Sequence, residues 1–145
     1  MYKRILIPSD GSEASQRAIL AGVDFARELG AEVVGLTVTP AFHVLSTDSE
    51  MLEDTPEQFT ANSAARAGRI LADVENAARQ AGVPYRGEHV VDDDPYAAIV
   101  ATAQRLGCDL ITMASHGRRG LKGLLLGSET QKVLVHSTVP VLVHR

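Results

Sequence analysis

Two stretches carry the residues whose types and spacing can do chemistry. The longer is Asp109-Leu-Ile-Thr-Met-Ala-Ser-His-Gly-Arg-Arg-Gly-Leu-Lys-Gly-Leu-Leu-Leu-Gly-Ser128. Its apolar run, Leu110 to Ala114, reads as a strand buried on both faces. Beyond it come Gly117, Gly120, Gly123 and Gly127, with Arg118, Arg119 and Lys122 among them, and a helical pattern starts at Gly127-Ser128. Glycine lets backbone approach a ligand closely, and a helix N-terminus attracts anions. Strand, basic glycine-rich loop and helix start together point to a phosphate site, with the N–H groups of Ser128, Glu129 and Thr130 turned to phosphate oxygens. The Ser128 hydroxyl has two open roles, N-cap of the helix (with Gln131 completing a capping box) or phosphate donor. The shorter stretch is Pro8-Ser9-Asp10-Gly11-Ser12. A carboxylate such as Asp10, set beside a phosphate loop, suits ribose hydroxyls or a phosphate-bound cation.

Catalytic patterns are missing. There is no Gly-x4-Gly-Lys-Ser/Thr and no Gly-x-Ser-x-Gly elbow. His116 lies beside the glycine loop and is expected to hydrogen-bond backbone rather than move protons. Cys108 is the single cysteine, so neither a disulfide framework nor a cysteine metal cluster is expected, and it reads as a structural thiol. His43, His89, His136 and His144 are too far apart in the pattern for a metal site and read as surface or strand residues. Asp48, Glu50, Glu53, Asp54 and Glu57 fall in a stretch of little apolar periodicity, expected to be a solvated acidic loop with at most one helical turn at Met51-Leu52. Asp92-Asp93-Asp94 is expected to serve cap and helix dipole rather than a cation.

The elements that must position these residues alternate along the chain. Arg4 to Pro8 is a strand. Ser12 caps a helix whose stripe is Ala14, Ala18, Ala21, Phe25 and Leu29, ended by Gly30. Ala31 to Val38 is the second strand, and the chain then runs irregularly to about Phe59. A helix from Phe59 to Ala81 buries Ala64, Ala67, Leu71, Val74, Ala78 and Ala81, and stops at Gly82. Tyr85 to Val91 is the third strand. Asp94 as N-cap and Pro95 at N1 open a helix lined by Ile99, Ala103 and Leu106. Asp109 to Ala114 is the fourth strand, about Ser128 to His136 the fourth helix, and Thr138 to His144 the fifth strand. Pro140 suits an edge position or the start of that strand.

This β-α alternation predicts an α/β fold: one open five-stranded parallel sheet with helices on both faces. Right-handed crossovers leave the orders 3-2-1-4-5 and 2-1-3-4-5. The first makes strands 1 and 4 neighbours at the switch point. It brings Pro8-Ser9-Asp10 and Met113-Ala114-Ser115-His116-Gly117 to one crevice, where ligands of such sheets bind. It is the expected order.

The residues resemble the universal stress protein family over essentially the whole chain. The match is carried by Ile7-Pro-Ser-Asp-Gly-Ser-Glu13, the long central insertion and helix, the block Met113 to Ser128, and Val139-Pro-Val-Leu-Val-His144. ATP-binding members carry Gly-x2-Gly-x9-Gly-Ser/Thr, which falls here on Ala114, Gly117, Gly127 and Ser128. The spacing is kept, with alanine for the first glycine. Glu129 stands where the family usually has an apolar residue, and a carboxylate near a polyphosphate repels it unless it points away. The resemblance implies a Rossmann-like, adenine nucleotide alpha hydrolase-like fold, adenine contacts near Val38, and a ribose or phosphate role for Asp10. The expected ligand set is therefore Pro8, Ser9, Asp10, Val38, Met113, Ala114, Gly117, Arg118, Gly127, Ser128, Glu129 and Thr130, holding ATP or another adenine nucleotide with Mg2+ carried by the phosphates. The resemblance also implies a homodimer. Its physical handle is the Val-rich fifth strand (Val139, Val141, Leu142, Val143), an apolar edge open to antiparallel pairing with a second copy.

Composition sets the frame. The 145 residues suffice for one domain with a substantial core, expected to span 1–145. A net charge of −4 argues against nucleic acid as the main partner. No apolar run approaches the roughly 20 residues of a membrane span. Met1-Tyr-Lys-Arg leads directly into a strand with no signal peptide, so a cytoplasmic protein is expected. The leading expectation is a nucleotide-binding stress-response sensor or regulator whose regulatory partners the sequence does not name. The alternatives are a slow ATP hydrolase or phosphotransferase, and an interaction module that has lost nucleotide binding.

Overall fold

A computed structural model of the chain describes residues 1–43, 54–117 and 125–145. The elements run β1 (Arg4–Pro8), α1 (Glu13–Leu29), β2 (Glu32–Thr39), α2 (Pro56–Ala81), β3 (Tyr85–Val91), α3 (Pro95–Arg105), β4 (Leu110–Ala114), α4 (Ser128–His136) and β5 (Val141–His144). The strands form one parallel sheet in the order β3-β2-β1-β4-β5. This is the expected open, doubly wound α/β architecture.

Alternating side chains send each inner strand's apolar residues to both faces. Ile5, Ile7, Val33 and Leu110 pack with Ile19, Val23 and Ala26 of α1 and Val74 and Ala78 of α2. Leu6, Val34, Leu36, Ile111 and Met113 pack with Ile99 and Ala103 of α3 and Val133 of α4. Cys108 is buried in this second layer, as a structural thiol would be. Among the described residues, no helix is long and apolar enough to cross a membrane.

Several boundaries differ from the sequence reading, each for a local reason. α2 starts at Pro56 rather than Phe59 because Thr55 and Gln58 form a reciprocal capping box ahead of the apolar stripe. β2 is displaced by one residue, since the Ala31 N–H is used by the Ala26 carbonyl behind the left-handed Gly30. β5 begins at Val141, after Pro140, whose carbonyl accepts the Ile111 N–H. Most of the predicted acidic loop, including Asp48, Glu50, Met51, Leu52 and Glu53, lies outside the described residues.

One close approach sets how α1 sits on the sheet. A Cβ on Gly22 would lie 2.6 Å from Thr112 Oγ1 and 2.8 Å from Ile7 Cδ1. Glycine in a helix interior costs about 1 kcal/mol against alanine. Here it allows the helix backbone to lie against β1 and β4. Gly22→Val should therefore destabilise the fold by about 2 kcal/mol, because overpacking adds to the poorer helix propensity of a β-branched residue. Urea unfolding of the two proteins measures it, and an unchanged midpoint would show that the contact yields.

One buried and one half-buried acid make the fold sensitive to alkali. Burial, aided by Glu75, pushes the Tyr85 phenol up to about 12, and its hydroxyl donates to the Leu71 carbonyl at 3.1 Å. Burial pushes the Cys108 thiol up to about 11; Arg4 opposes the rise, and Asp109 and Glu32 add to it. The ordinary values are 10.0 and 9.0. Both groups hold their protons more tightly folded than unfolded. Stability is then whole below pH 9, and is lost as pH climbs through about 11 and about 12. Denaturant midpoints recorded from neutral to strongly alkaline pH should show this decline, and Tyr85→Phe should remove its upper portion.

Candidate functional site

β1 and β4 pair over only Ile5↔Leu110 and Leu6↔Ile111. β1 and β2, by contrast, stay in register from Arg4↔Glu32 to Pro8↔Leu36. Beyond the short β1–β4 ladder the chain leaves β1 into α1 on one face and leaves β4 toward α4 on the other. The Pro8–Gly11 and Ala114–Gly117 turns follow the ends of these two neighbouring strands.

The Asp10 turn is built from its own neighbours. Gly11 takes φ 81°, a left-handed conformation that suits glycine. The Gly11 N–H donates to Ser9 Oγ at 3.2 Å, and the Ser9 N–H to the Leu36 carbonyl at 2.8 Å. Asp10 Oδ1 accepts the Ser12 N–H at 3.0 Å and the Ser15 hydroxyl at 2.8 Å. Ser12 in turn caps α1 by accepting the Ser15 N–H at 3.1 Å. Ser15, 5% exposed, thus helps Ser12 to orient Asp10. The sequence reading missed it, although a serine three residues beyond an N-cap serine was the available signal. The other carboxylate oxygen of Asp10 lies against Gly117, where a Cβ would collide with it. Asp10 and Gly117, apart in sequence, are thus brought into contact.

The opposite wall is tied just as closely. The Gly127 N–H donates to the Ser115 carbonyl at 2.6 Å, and a Cβ on Gly127 would sit 3.1 Å from His116 Cα. The two ends of the glycine loop are held together there. Thr130 Oγ1 donates to the Ala114 carbonyl at 3.0 Å, fixing the first turn of α4 on the end of β4. Ala114 itself packs with Ala14 and Ala18 of α1. The methyl that replaces a glycine in the pattern is taken up in that contact. Val38 and Met113 belong to the layer facing α3 and α4, Val38 near the carboxyl end of β2. Arg118, with Arg119 and Lys122, lies outside the described residues.

Three cap assignments need correction. The N-cap of α4 is Gly127 and not Ser128: tied to Ser115, Gly127 keeps an extended backbone (φ −71°, ψ 162°), so the helix begins at Ser128, which makes no cap bond. The capping box with Gln131 is not formed, and the Gln131 amide donates instead to the Leu126 carbonyl at 3.1 Å. Asp94 occupies the N-cap position of α3 without a side-chain bond to the helix. The acceptor there is Glu129 of α4, whose Oε2 takes the Tyr96 N–H at 2.9 Å. Glu129 thus points along the layer toward α3, with Lys132 Nζ 3.5 Å from its other oxygen.

His116 shares a 3.1 Å hydrogen bond between its Nδ1 and the Ser115 hydroxyl, a side-chain partner where backbone was expected. His89 Nε2 bonds Thr39 Oγ1 at 2.7 Å, His43 Nε2 bonds Asp93 Oδ2 at 2.8 Å, and His136 Nδ1–H donates to the Lys132 carbonyl at 2.8 Å. His144 is the last residue of β5, in keeping with the strand reading; its Nε2 is buried without a partner among the described residues, and burial lowers its pKa. Of the three aspartates, Asp92 holds the Asp94 N–H and Asp93 holds the Ala41 N–H. Among the described residues, no three His, Cys, Asp or Glu side chains gather as a metal site.

These features define an open α/β protein of Rossmann-like type, with the Asp10 and Gly117 turns meeting at its switch point. The chain belongs to the universal stress protein family, whose model matches residues 1–145. It is similar to the solved structure of MJ0577 from Methanocaldococcus jannaschii, with a TM-score of 0.83 and 31% identity, covering 99% of this chain and 95% of that one. It shares its fold with a universal stress protein solved in complex with cAMP (TM-score 0.72, 24% identity, 99% and 97% covered). It shares it also with one from Archaeoglobus fulgidus solved in complex with dAMP (TM-score 0.68, 18% identity, 99% and 98% covered).

The contact between Asp10 and Gly117 gives a direct test of the geometry. Gly117→Ala should displace the Asp10 carboxylate and weaken its bonds to Ser12 and Ser15, at a cost of about 1 kcal/mol. Amide NMR should show the Ser12 and Ser15 resonances moving, and unmoved resonances would show that the carboxylate does not rest on Gly117.

Proposed function

We propose that this chain binds an adenine nucleotide, ATP or a close relative, in the crevice between β1 and β4, and acts as a stress-response sensor or regulator. The observation that carries the reading is the meeting of the Asp10 carboxylate, the bare Gly117 backbone and the N-terminus of α4 at one switch point. Family membership supports it, as do the cAMP and dAMP held by proteins of the same fold.

In this reading Asp10 takes the ribose hydroxyls or a Mg2+ carried by the phosphates, with Pro8 and Ser9 shaping its turn. Val38 and Met113 contribute the apolar wall for adenine. The N–H groups of Ser128, Glu129 and Thr130 face the phosphates, and Ser128 Oγ, free of capping duty, adds a donor. Gly117 and Gly127 keep the backbone close, Ala114 closes the end of β4, and Arg118 adds positive charge in the loop.

A slow hydrolase is the second reading, favoured only by the Ser115–His116 hydrogen bond. Ser115 is 2% exposed, however, which leaves its hydroxyl poorly placed to attack a ligand. A His116→Ala variant that hydrolyses ATP as the native chain does would remove that reading.

The regulatory form is a homodimer through β5, an edge strand of the sheet. Leu142 is 37% exposed on it, and Val135 of the preceding helix is 77% exposed. Sedimentation should give a dimer for the native chain and a monomer for Leu142→Asp. A native monomer at micromolar concentration would remove the dimer from the proposal.

Calorimetric titration with ATP–Mg2+, beside Gly117→Val, tests the site. Saturable binding that the variant loses supports the crevice. Binding that survives the substitution places the nucleotide elsewhere, and a native chain that takes no adenine nucleotide at millimolar concentration overturns the function.

A further inference from the structure

Glu129 is the second helical residue of α4, at the end of the helix assigned to the phosphates. A carboxylate there competes with an anion for the same N–H groups and the same helix field. The side chain is drawn aside instead. Its Oε2 accepts the Tyr96 N–H at 2.9 Å, and Lys132 stands 3.5 Å from Oε1. Lys132 also lies over the Tyr96 ring at 5.5 Å, and the Tyr96 and His136 rings meet at 4.9 Å between centroids. Asp94, at the N-cap position of α3, makes no side-chain cap bond. Glu129 therefore supplies a cap that α3 does not make for itself, and α3 holds the carboxylate away from α4's own first turn.

We propose that Glu129 is a positioning residue for the phosphate end of the crevice, acting through the Tyr96 N–H. The inference rests on the nucleotide reading above. While the bond to Tyr96 is made, the α4 N–H groups are left to a phosphate, and the α3 N-terminus is tied to the helix that receives it. The Tyr96 bond also links that helix to the Asp92–Asp94 turn, where Asp93 holds Ala41 and His43 just beyond Val38.

Reach and charge can be separated by substitution. Glu129→Gln keeps the length and an acceptor oxygen, so it keeps the cap. Glu129→Asp keeps the charge but is one methylene shorter, so it gives up Tyr96 and leaves a carboxylate over the first turn of its own helix. Three quantities are read on native chain and both variants: amide hydrogen exchange at Tyr96 in the free protein, affinity for ATP–Mg2+ and for AMP, and the thermal midpoint as a check on folding. Glu129→Gln should protect Tyr96 and bind ATP within about twofold of the native chain, since a neutral acceptor can serve the same cap. Glu129→Asp should speed exchange at Tyr96. It should weaken ATP by about tenfold and AMP by less, because the released carboxylate repels in proportion to phosphate charge.

An ATP affinity raised several-fold by Glu129→Gln would overturn the inference, since the native carboxylate would then be repelling phosphate directly. Equal losses for ATP and AMP in Glu129→Asp would reduce the residue to a structural cap and overturn the positioning role. Exchange at Tyr96 that ignores Glu129→Asp overturns it whether or not nucleotide binds. Failure of the nucleotide reading is distinguishable: the native chain then binds neither ligand while Tyr96 still responds, which ends the positioning role and leaves the cap.

Discussion

At their amino ends β1 and β4 are joined by one side chain. The Asp109 carboxylate accepts the Lys3 N–H at 2.9 Å and the Arg4 N–H at 3.0 Å, and the Asp109 N–H donates back to the Arg4 carbonyl at 2.9 Å. Arg4 is held on both sides, by Glu32 at the start of β2 and by the Leu106 carbonyl at the end of α3. Two strands far apart in sequence are thereby fixed side by side where they begin, and their ladder covers only two residue pairs. Beyond that ladder, past the carboxyl ends of the two strands, Asp10 and Gly117 meet.

The packing layers repeat the same division. α1 and α2 cover one face and α3 and α4 the other, because the chain reverses its winding between β1 and β4. Gly22 lets α1 lie against both of those strands. The polar groups beyond the strand ends rest on buried strands packed on both faces. Loops that carry ligand-facing groups on such a base keep their geometry without needing side-chain bonds over their whole length.

Much of this was legible in the sequence because it rests on local chemistry. The alternation of elements fixed the winding, and Ser12, Gly30, Gly82 and Pro95 marked ends that the structure keeps. The convergence of Asp10 with the Ala114–Gly117 turn followed from strand order alone. What was not legible depends on partners distant in sequence. Ser128 looked like an N-cap by type and spacing, but the tie between Gly127 and Ser115 moved the cap by one residue. Asp94 looked like the cap of α3, yet the bond is made by Glu129, 33 residues from Tyr96. The same distance explains why Glu129 read as a threat to an anion site, since no local pattern shows that another helix turns its carboxylate aside. Thr55 is the reverse case: its capping box is local, and the acidic residues around it hid the signal.

Net charge is a poor guide to what such a crevice accepts. The chain carries −4 overall, and carboxylates stand on both walls. Exposed charges act over roughly 10 Å at ordinary ionic strength, so a ligand there responds to near groups and not to the total. The near carboxylates are engaged by donors: Asp10 by Ser12 and Ser15, Glu129 by Tyr96 and Lys132. The N-terminus of α4, in contrast, begins with Gly127 and Ser128, neither of which turns a side chain back onto its N–H groups. A helix whose cap makes no side-chain bond keeps its donors available, and one whose cap is strong has already used them. α1 and α2 have side-chain caps of their own and α3 borrows one from Glu129, while α4 has none. Of the two helices that follow the strands at the switch point, α1 carries a side-chain cap and α4 does not, and the proposed anion site rests on that asymmetry.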